Sequence, residues 1–194
     1  MLRGEILNRI AKVIDAKDYL EIGVQLGWTF SLVEVENMVG VDPNESTPAT
    51  VHTTSDAYFD DLPDDVRFDL IFVDGLHRAH QVVKDVHNAM RHLNPGGVIV
   101  CHDCSPPTEE SATIVPTGTT WCGDVWEGWL ELRRQLDAEM YVVDTDLGCG
   151  VILPDRKGKK LNRPLPKGWD DFAKNRSTLL NLITVEQFVE RWSL

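Results

Sequence analysis

Two apolar runs joined by one amphipathic stretch constrain this chain more than any other feature. "FDLIFVD" at 68–74 is nearly continuous apolar after Asp69, and "VIVCHD" at 98–103 repeats the pattern. Apolar runs without alternation belong to strands covered on both faces. Between them Ala79, Val82, Val83, Val86, Ala89, Met90 and Leu93 recur at three- and four-residue spacing, the period of a helix, and Asn94-Pro95-Gly96-Gly97 stops it. Strand, helix and strand in that order form a crossover unit, which sets the two strands parallel in one sheet.

The rest of the chain extends the same alternation. Leu2, Ile6, Ile10 and Val13 predict a helix over 2–15. "YLEIG" (19–23) and "MVGVD" (38–42) read as strands, with a short helix over 27–36 between them and a weaker strand near 50–54. Only seven residues separate Asp42 from Thr50, short for a parallel crossover, which usually takes a dozen or more. Residues 104–123, rich in Pro, Thr and Gly, form a long loop, and loops of that length in a compact domain are often functional. Asp124 and Glu127 make a capping-box-like start to a further helix. "MYVVD" (140–144) and "GCGVIL" (148–153) pair as an antiparallel hairpin, and helical segments follow near 169–180 and 184–192, the second with a Thr184/Gln187 box. The expected fold is α/β, an open and mostly parallel sheet with helices on both faces and a C-terminal antiparallel hairpin. The 194 residues suit one domain, with 1–153 carrying the sheet and 154–194, a basic loop and short helices, packed on it.

Charge narrows the partners. Thirty-one acidic residues against nineteen Lys and Arg give a net charge of −12, a surface that repels phosphate backbones, so no nucleic-acid partner is expected. The basic run Arg156, Lys157, Lys159, Lys160, Arg163 and Lys167 is broken by prolines and glycines and reads as a solvated loop, with docking of an anionic partner the less favoured alternative. No apolar stretch approaches membrane-spanning length and no signal-peptide core follows Met1, so a cytoplasmic setting is the default. Cys101, Cys104, Cys122 and Cys149 are then expected as free thiols, since the C-x-x-C at 101–104 has no second pair to complete a zinc site.

In an open parallel sheet, ligands bind outside the carboxyl ends of the strands. Glu21-Ile22-Gly23, Asp42, Asp74 and His102-Asp103 all fall at such ends. Each also has a plainer reading. Asp74, ahead of Gly75, can be a helix cap; Gly23 and Gly27 can be an ordinary strand-to-helix turn; Asp42 before Pro43 can be a turn former. The turn "EIGVQLG" is not the dinucleotide pattern G-x-G-x-x-G, because residue 25 is Gln.

"YLEIGVQLG", "VGVDP", "FDLIFVDGLH" and "LNPGGVIVCHD", in this order and spacing, resemble the successive motifs of class I S-adenosylmethionine-dependent methyltransferases over residues 18–153. In detail they are similar to bacterial small-molecule O-methyltransferases, including the metal-dependent macrolide and aminocoumarin sugar group. The resemblance implies a Rossmann-like sheet and a transferase that methylates a small-molecule or sugar hydroxyl. It implies Glu21, Gly23 and Gly27 around the methionine part of the cofactor, Asp42 at the ribose hydroxyls, Ser55 and Asp56 beside the adenine, and Asp74 near the transferred methyl. In the metal-dependent group the corresponding acids bind a divalent ion, Mg or Mn, and those positions here are Asp74, His102 and Asp103. This chain has His102-Asp103 where that group has two acids, and an imidazole suits Mn, Fe, Ni or Zn better than Mg.

The chemistry follows from the residues. Acids along the cleft favour a sulfonium cation, and methylation of an alcohol requires removal of its proton. Asp74 and His77 are the candidate catalytic pair, with His77 as the base or, on its plainer reading, a first-turn helix residue facing water. Adjacent strand residues point to opposite faces, so His102 and Asp103 converge only if the chain bends between them. Trp121, in the long loop, is a candidate for an acceptor pocket, whereas Trp126 and Trp129 read as core. Gly23→Val is expected to fill the ligand's space and leave the fold intact. Two rival functions stand beside this reading: a nicotinamide-dependent oxidoreductase and a non-catalytic cofactor-binding or interaction domain. The oligomeric state is open, a homodimer included.

Overall fold

The structure is a computed structural model and describes residues 1–116, 118 and 120–193. Its centre is a seven-stranded sheet of β1 (Asp18–Ile22), β2 (Asn37–Val41), β3 (Phe68–Val73), β4 (Leu93–Cys101), β5 (Glu139–Val143), β6 (Cys149–Leu153) and β7 (Leu182–Ile183), in the order β2-β1-β3-β4-β6-β5-β7. All neighbours are parallel except at β6, which runs antiparallel to both β4 and β5. This is the expected Rossmann-like sheet with its terminal hairpin.

The helices are α1 (Arg3–Ile14), α2 (Ser55–Asp61), α3 (Ala79–Arg91), α4 (Val125–Gln135), α5 (Trp169–Leu180) and α6 (Val185–Arg191). Strand residues sort by parity onto the two faces, as a period of two requires. Ile71, Val73, Ile99 and Cys101 meet Val82, Val86 and Ala89 of α3, Trp129 of α4 and Phe172 of α5. Leu70, Phe72, Val98 and Val100 meet Ile6, Leu7 and Ile10 of α1 and Phe188 and Trp192 on the other face. Trp126 and Trp129 are core, as the sequence suggests, and all four cysteines are buried free thiols. No helix among the described residues is long and apolar enough to cross a membrane.

Several local expectations fail for tertiary reasons. The helix over 27–36 does not form; the segment is a series of turns. Asn8 on α1 takes its place as a partner, donating to the Leu32 carbonyl at 2.7 Å and accepting from the Glu34 N–H at 2.8 Å. The strand near 50–54 shrinks to a single parallel bridge between Val51 and Val41, consistent with the short span before it. Asn94-Pro95-Gly96-Gly97 ends α3 but lies inside β4, with a register shift against β3 between Phe68 and Leu70. Asp124 makes no side-chain bond to its own helix; its Oδ1 accepts from Ala79 N at 2.7 Å and so caps α3 across the fold. The Thr184/Gln187 capping box of α6 is present.

Candidate active site

The backbone ladder delivers the polar residues to one edge. Gly23 N donates to Val41 O, Asp74 N to Ile22 O and His102 N to Val73 O, so each lies one step beyond its strand. The bend needed after β4 is present. Asp103 has φ 58°, left-handed backbone that Asp tolerates better than most side chains, and it turns its carboxylate to the same side as His102. Cys104 N and Ser105 N then bond Gly148 O and Leu147 O, which tie this bend to the β5–β6 loop.

Asp74, His77, His102 and Asp103 converge there. His102 Nδ1 lies 3.3 Å from Asp74 Oδ1 and 3.3 Å from Asp103 Oδ1, and His77 Nε2 lies 3.2 Å from Asp103 Oδ2 and 3.6 Å from Asp74 Oδ1. The His77 ring stacks on Trp121, centroids 4.9 Å apart, and Trp121 Nε1 is held by Thr113 O. Asp74 is therefore not the cap of α3, whose N-cap is Arg78 and whose first N–H belongs to Asp124.

Two residues that the sequence reading missed complete the cluster. Arg3, at the start of α1, donates from Nη1 to both Asp146 oxygens at 3.1 Å, and its Nε stands 3.9 Å from Asp74 Oδ2. Arg3 Nη1 is also 3.2 Å from His102 Nε2, and Asp146 Oδ2 is 3.8 Å from the same nitrogen. No sequence signal marks Arg3 as part of this site: it opens an amphipathic helix 143 residues from its partner Asp146. Asp146, in the hairpin loop with φ 47°, carried only the weak signal of an acid at a tight turn.

Electrostatics lowers Asp74 and Asp146 and raises the two imidazoles of this cluster. Burial opposes the charge on Asp74, but His102 and His77 outweigh it and keep the carboxyl well below the ordinary range. Burial likewise opposes charge on Asp146, and bonds from His102 and Arg3 overcome it. His102 is pushed down by burial and raised well above 6.5 by Asp74, Asp103 and Asp146. His77 is raised as well, with Asp74 and Asp103 outweighing its burial.

The donor set fits a divalent cation. Asp74, His102 and Asp103 each offer a ligand atom, all within 4.8 Å of one another. His102 Nδ1 and Asp103 Oδ1 are buried without an aligned hydrogen bond, an arrangement that costs free energy unless something else takes them up. An imidazole ligated through Nδ1 would present its Nε2 side to Asp146, a carboxylate placed behind the ring. His102 has the same spacing to Asp146 and Cys149, but burial pushes the Cys149 thiol up to about 12, so it stays neutral.

The expected cofactor residues lie along the same edge, with different local duties. Gly23 has φ 88°, and a Cβ there would sit 2.2 Å from Asp74 O; Gly27, at φ 76°, would meet Pro48 Cγ at 2.4 Å. Gly23 is thus needed where β1 and β3 end against each other, which corrects the expectation that Gly23→Val leaves the fold intact. With no helix after the turn, no helix N-terminus stands behind it either. Asp42 Oδ2 accepts from Val24 N at 3.1 Å and Gln25 N at 2.8 Å, so it braces the turn that the ligand would face. Glu21 is buried and accepts from Tyr19 Oη at 2.5 Å. Burial first, then Asp74, raises its carboxyl to about 8, against Tyr19 and Arg3, which lower it. Ser55 and Asp56 open α2 and are joined by Gln81 Nε2, at 3.2 and 2.9 Å, a third residue the sequence reading did not single out.

Residues 20–104 match the family model described as a methyltransferase domain. An uncharacterized protein of Acanthamoeba polyphaga mimivirus is 26% identical, over 53% of this chain and 59% of that one, so the chain spans under two thirds of that relative's length. Among solved structures, cofactor-bound Rv0187 from MTB superposes with TM-score 0.61 at 16% identity, covering 80% of each chain. TomG from Streptomyces achromogenes, an O-methyltransferase of tomaymycin synthesis solved with SAM, gives 0.59 at 18% identity over 79% of this chain and 80% of that one. The Bacillus cereus O-methyltransferase in complex with SAH gives 0.57 at 13% over 78% and 80%. Residues 20–104 thus resemble a methyltransferase domain, and the sheet around them shares the fold of these O-methyltransferase and cofactor-bound structures.

Proposed function

We propose that the protein transfers a methyl group from S-adenosylmethionine to a hydroxyl of a small molecule or sugar, and that Asp74, His102 and Asp103 hold a divalent ion beside the reacting atoms. The observation that carries this reading is the convergence of Asp74, His77, His102 and Asp103 at the strand tips next to the Gly23 turn. Glu21, Gly23, Gly27 and Asp42 would border the methionine and ribose of the donor, and Ser55, Asp56 and Gln81 its adenine. In the reaction the acceptor oxygen bonds the methyl carbon as the carbon–sulfur bond breaks, and the sulfonium leaves as a neutral sulfide. His77 would receive the hydroxyl proton. With its Nε2–H directed at Asp103, its Nδ1 has no hydrogen-bond partner, and a carboxylate that orients an imidazole leaves the other nitrogen to act as base. The chemistry that a bound divalent ion supplies here is Lewis-acid polarisation of the acceptor hydroxyl. A cytoplasmic setting accords with the buried free thiols.

Calorimetry with S-adenosylmethionine and S-adenosylhomocysteine tests the base of this reading, and binding of both is expected. Labelled methyl transfer to a panel of hydroxylated small molecules tests the reaction. Exhaustive chelation should suppress transfer and added Mn²⁺ restore it, whereas full activity after chelation and in Asp103→Ala would remove the metal. Absence of binding by either ligand would overturn the whole assignment.

A further inference from the structure

A second polar site lies at the opposite edge of the sheet. β5 runs parallel to β4, because both are antiparallel to β6, so the start of β5 faces away from the Asp74 cluster. Beside that start is a groove of about 520 Å³, bordered by Arg133, Lys159, Lys160, Arg163, Thr178 and Asn181. Its volume is that of an ordinary small-molecule site.

The groove is built by specific bonds. Leu161 N donates to Arg133 O at 2.8 Å, Lys160 Nζ to Gln135 O at 2.6 Å and Glu139 N to Arg156 O at 2.6 Å. Leu161 is buried, and a Cβ on Gly158 would sit 1.9 Å from Ala138 O, so the basic loop is seated against the end of α4 and the start of β5. The charged residues Arg156, Lys157, Lys159, Lys160 and Arg163 are exposed, as expected of a solvated loop, while Leu161 and Gly158 fix its backbone.

Arg133 sets the chemistry. It is 7% exposed, and Nη1 donates to the carbonyls of Thr178 and Leu179 in the last turn of α5. Its Nε is buried with no acceptor, and among the described residues no carboxylate comes within 4.0 Å of the guanidinium. Glu139 also lines the groove, and its carboxylate is engaged by Arg191 and Arg156. The carbonyls at the C-terminal end of α5 meet part of this charge, but no carboxylate neutralises it, and a buried charge is costly unless it is paired. Lys159 and Arg163 add positive charge on the same wall.

We propose that this groove binds a phosphate-bearing small molecule, with Arg133 at its base and Lys159, Lys160 and Arg163 at its rim. A planar guanidinium with rigidly placed donors matches phosphate oxygens, and the lysines add point charges. Ser177 and Thr178, in the last turn of α5, also line the groove. The site stands apart from the methyl-transfer cluster and does not depend on that reading.

The test titrates the full chain with inorganic pyrophosphate and with inorganic phosphate, against sodium chloride at matched ionic strength, by calorimetry and amide NMR. Saturable pyrophosphate binding is expected, with shifts gathered at Arg133, 158–163 and 177–181, and weaker phosphate binding at the same place. Lys159→Gln combined with Arg163→Gln, both exposed, should weaken pyrophosphate about tenfold or more and leave S-adenosylhomocysteine affinity unchanged, with Lys12→Gln as the unaffected control. Arg133→Met should remove binding, and its melting curve shows whether the fold is kept. No saturable signal with pyrophosphate, shifts elsewhere on the surface, or equal affinity in wild type and the double variant would each overturn the proposal.

Discussion

Asp74 is where a local and a chemical explanation separate most clearly. A cap can be exchanged for Asn at a cost of a few tenths to about 1 kcal/mol, but this side chain caps nothing and is surrounded by His77, His102 and Arg3. Asp74→Asn keeps the shape and removes the charge that these cations face, so it should lower stability by about 1–3 kcal/mol, detectable by chemical denaturation. Donor binding should persist and methyl transfer fall on the order of a hundredfold, with His77→Ala giving a smaller loss. Transfer at the original rate in Asp74→Asn would return the residue to a structural role. Glu21 offers a second test. Its carboxyl, about 8 when folded against an ordinary 4.5, makes a contribution that is fully present below pH 4.5 and lost as pH rises through 8. Relative to Glu21→Gln, the wild type should lose on the order of a few kcal/mol between those limits, measured as the difference between their denaturation midpoints across pH. Parallel curves would show that Glu21 ionises normally.

At the scale of elements, the turn after β1 is decided by its neighbour β3 more than by any ligand. A methyl group at Gly23 meets a carbonyl oxygen and demands left-handed backbone of a residue with a Cβ. Gly23→Ala should therefore destabilise the fold by about 1–3 kcal/mol, with donor binding weakened through displacement of Asp74 as well as through lost space. Melting unchanged in Gly23→Ala would show that the junction can relax. The same neighbourhood explains the missing helix over 27–36. Thr29, Val33 and Val35 are weak helix formers, and Asn8 supplies the hydrogen bonds that hold the segment against α1.

For the whole molecule, the segment after 153 is bound into the sheet and its second face. β7 pairs with β5, Phe188 and Trp192 are buried, and Trp192 Nε1 donates to Tyr141 Oη at 2.7 Å. Losing a buried Phe or Trp costs about 3–5 kcal/mol each, against a total stability of roughly 5–15 kcal/mol. Ending the chain at Ile183 should therefore abolish cooperative melting, and calorimetry on the intact chain should show one transition. Two transitions, or a truncated chain that melts like the original, would make residues 154–194 a separate unit.

β1, β2, β3, the latter half of β4, α1, α3 and the hairpin were legible because their signals are local: unbroken apolar runs, a three-and-four period, three residues between two runs; the two-residue β7 carries no such signal. Those elements were enough to place Glu21, Asp42, Asp74 and His102 at one edge, since a parallel sheet collects its strand ends there. What completes the site is long-range. Arg3 and Asp146 are 143 residues apart, and only the packing of α1 beneath the β5–β6 loop brings them to His102. The convergence of His102 and Asp103 depends on one left-handed residue, and the cap of α3 on an acid 45 residues away. Periodicity reports which face of an element is buried; it carries nothing about which distant side chain will supply a partner, and that choice belongs to the tertiary structure.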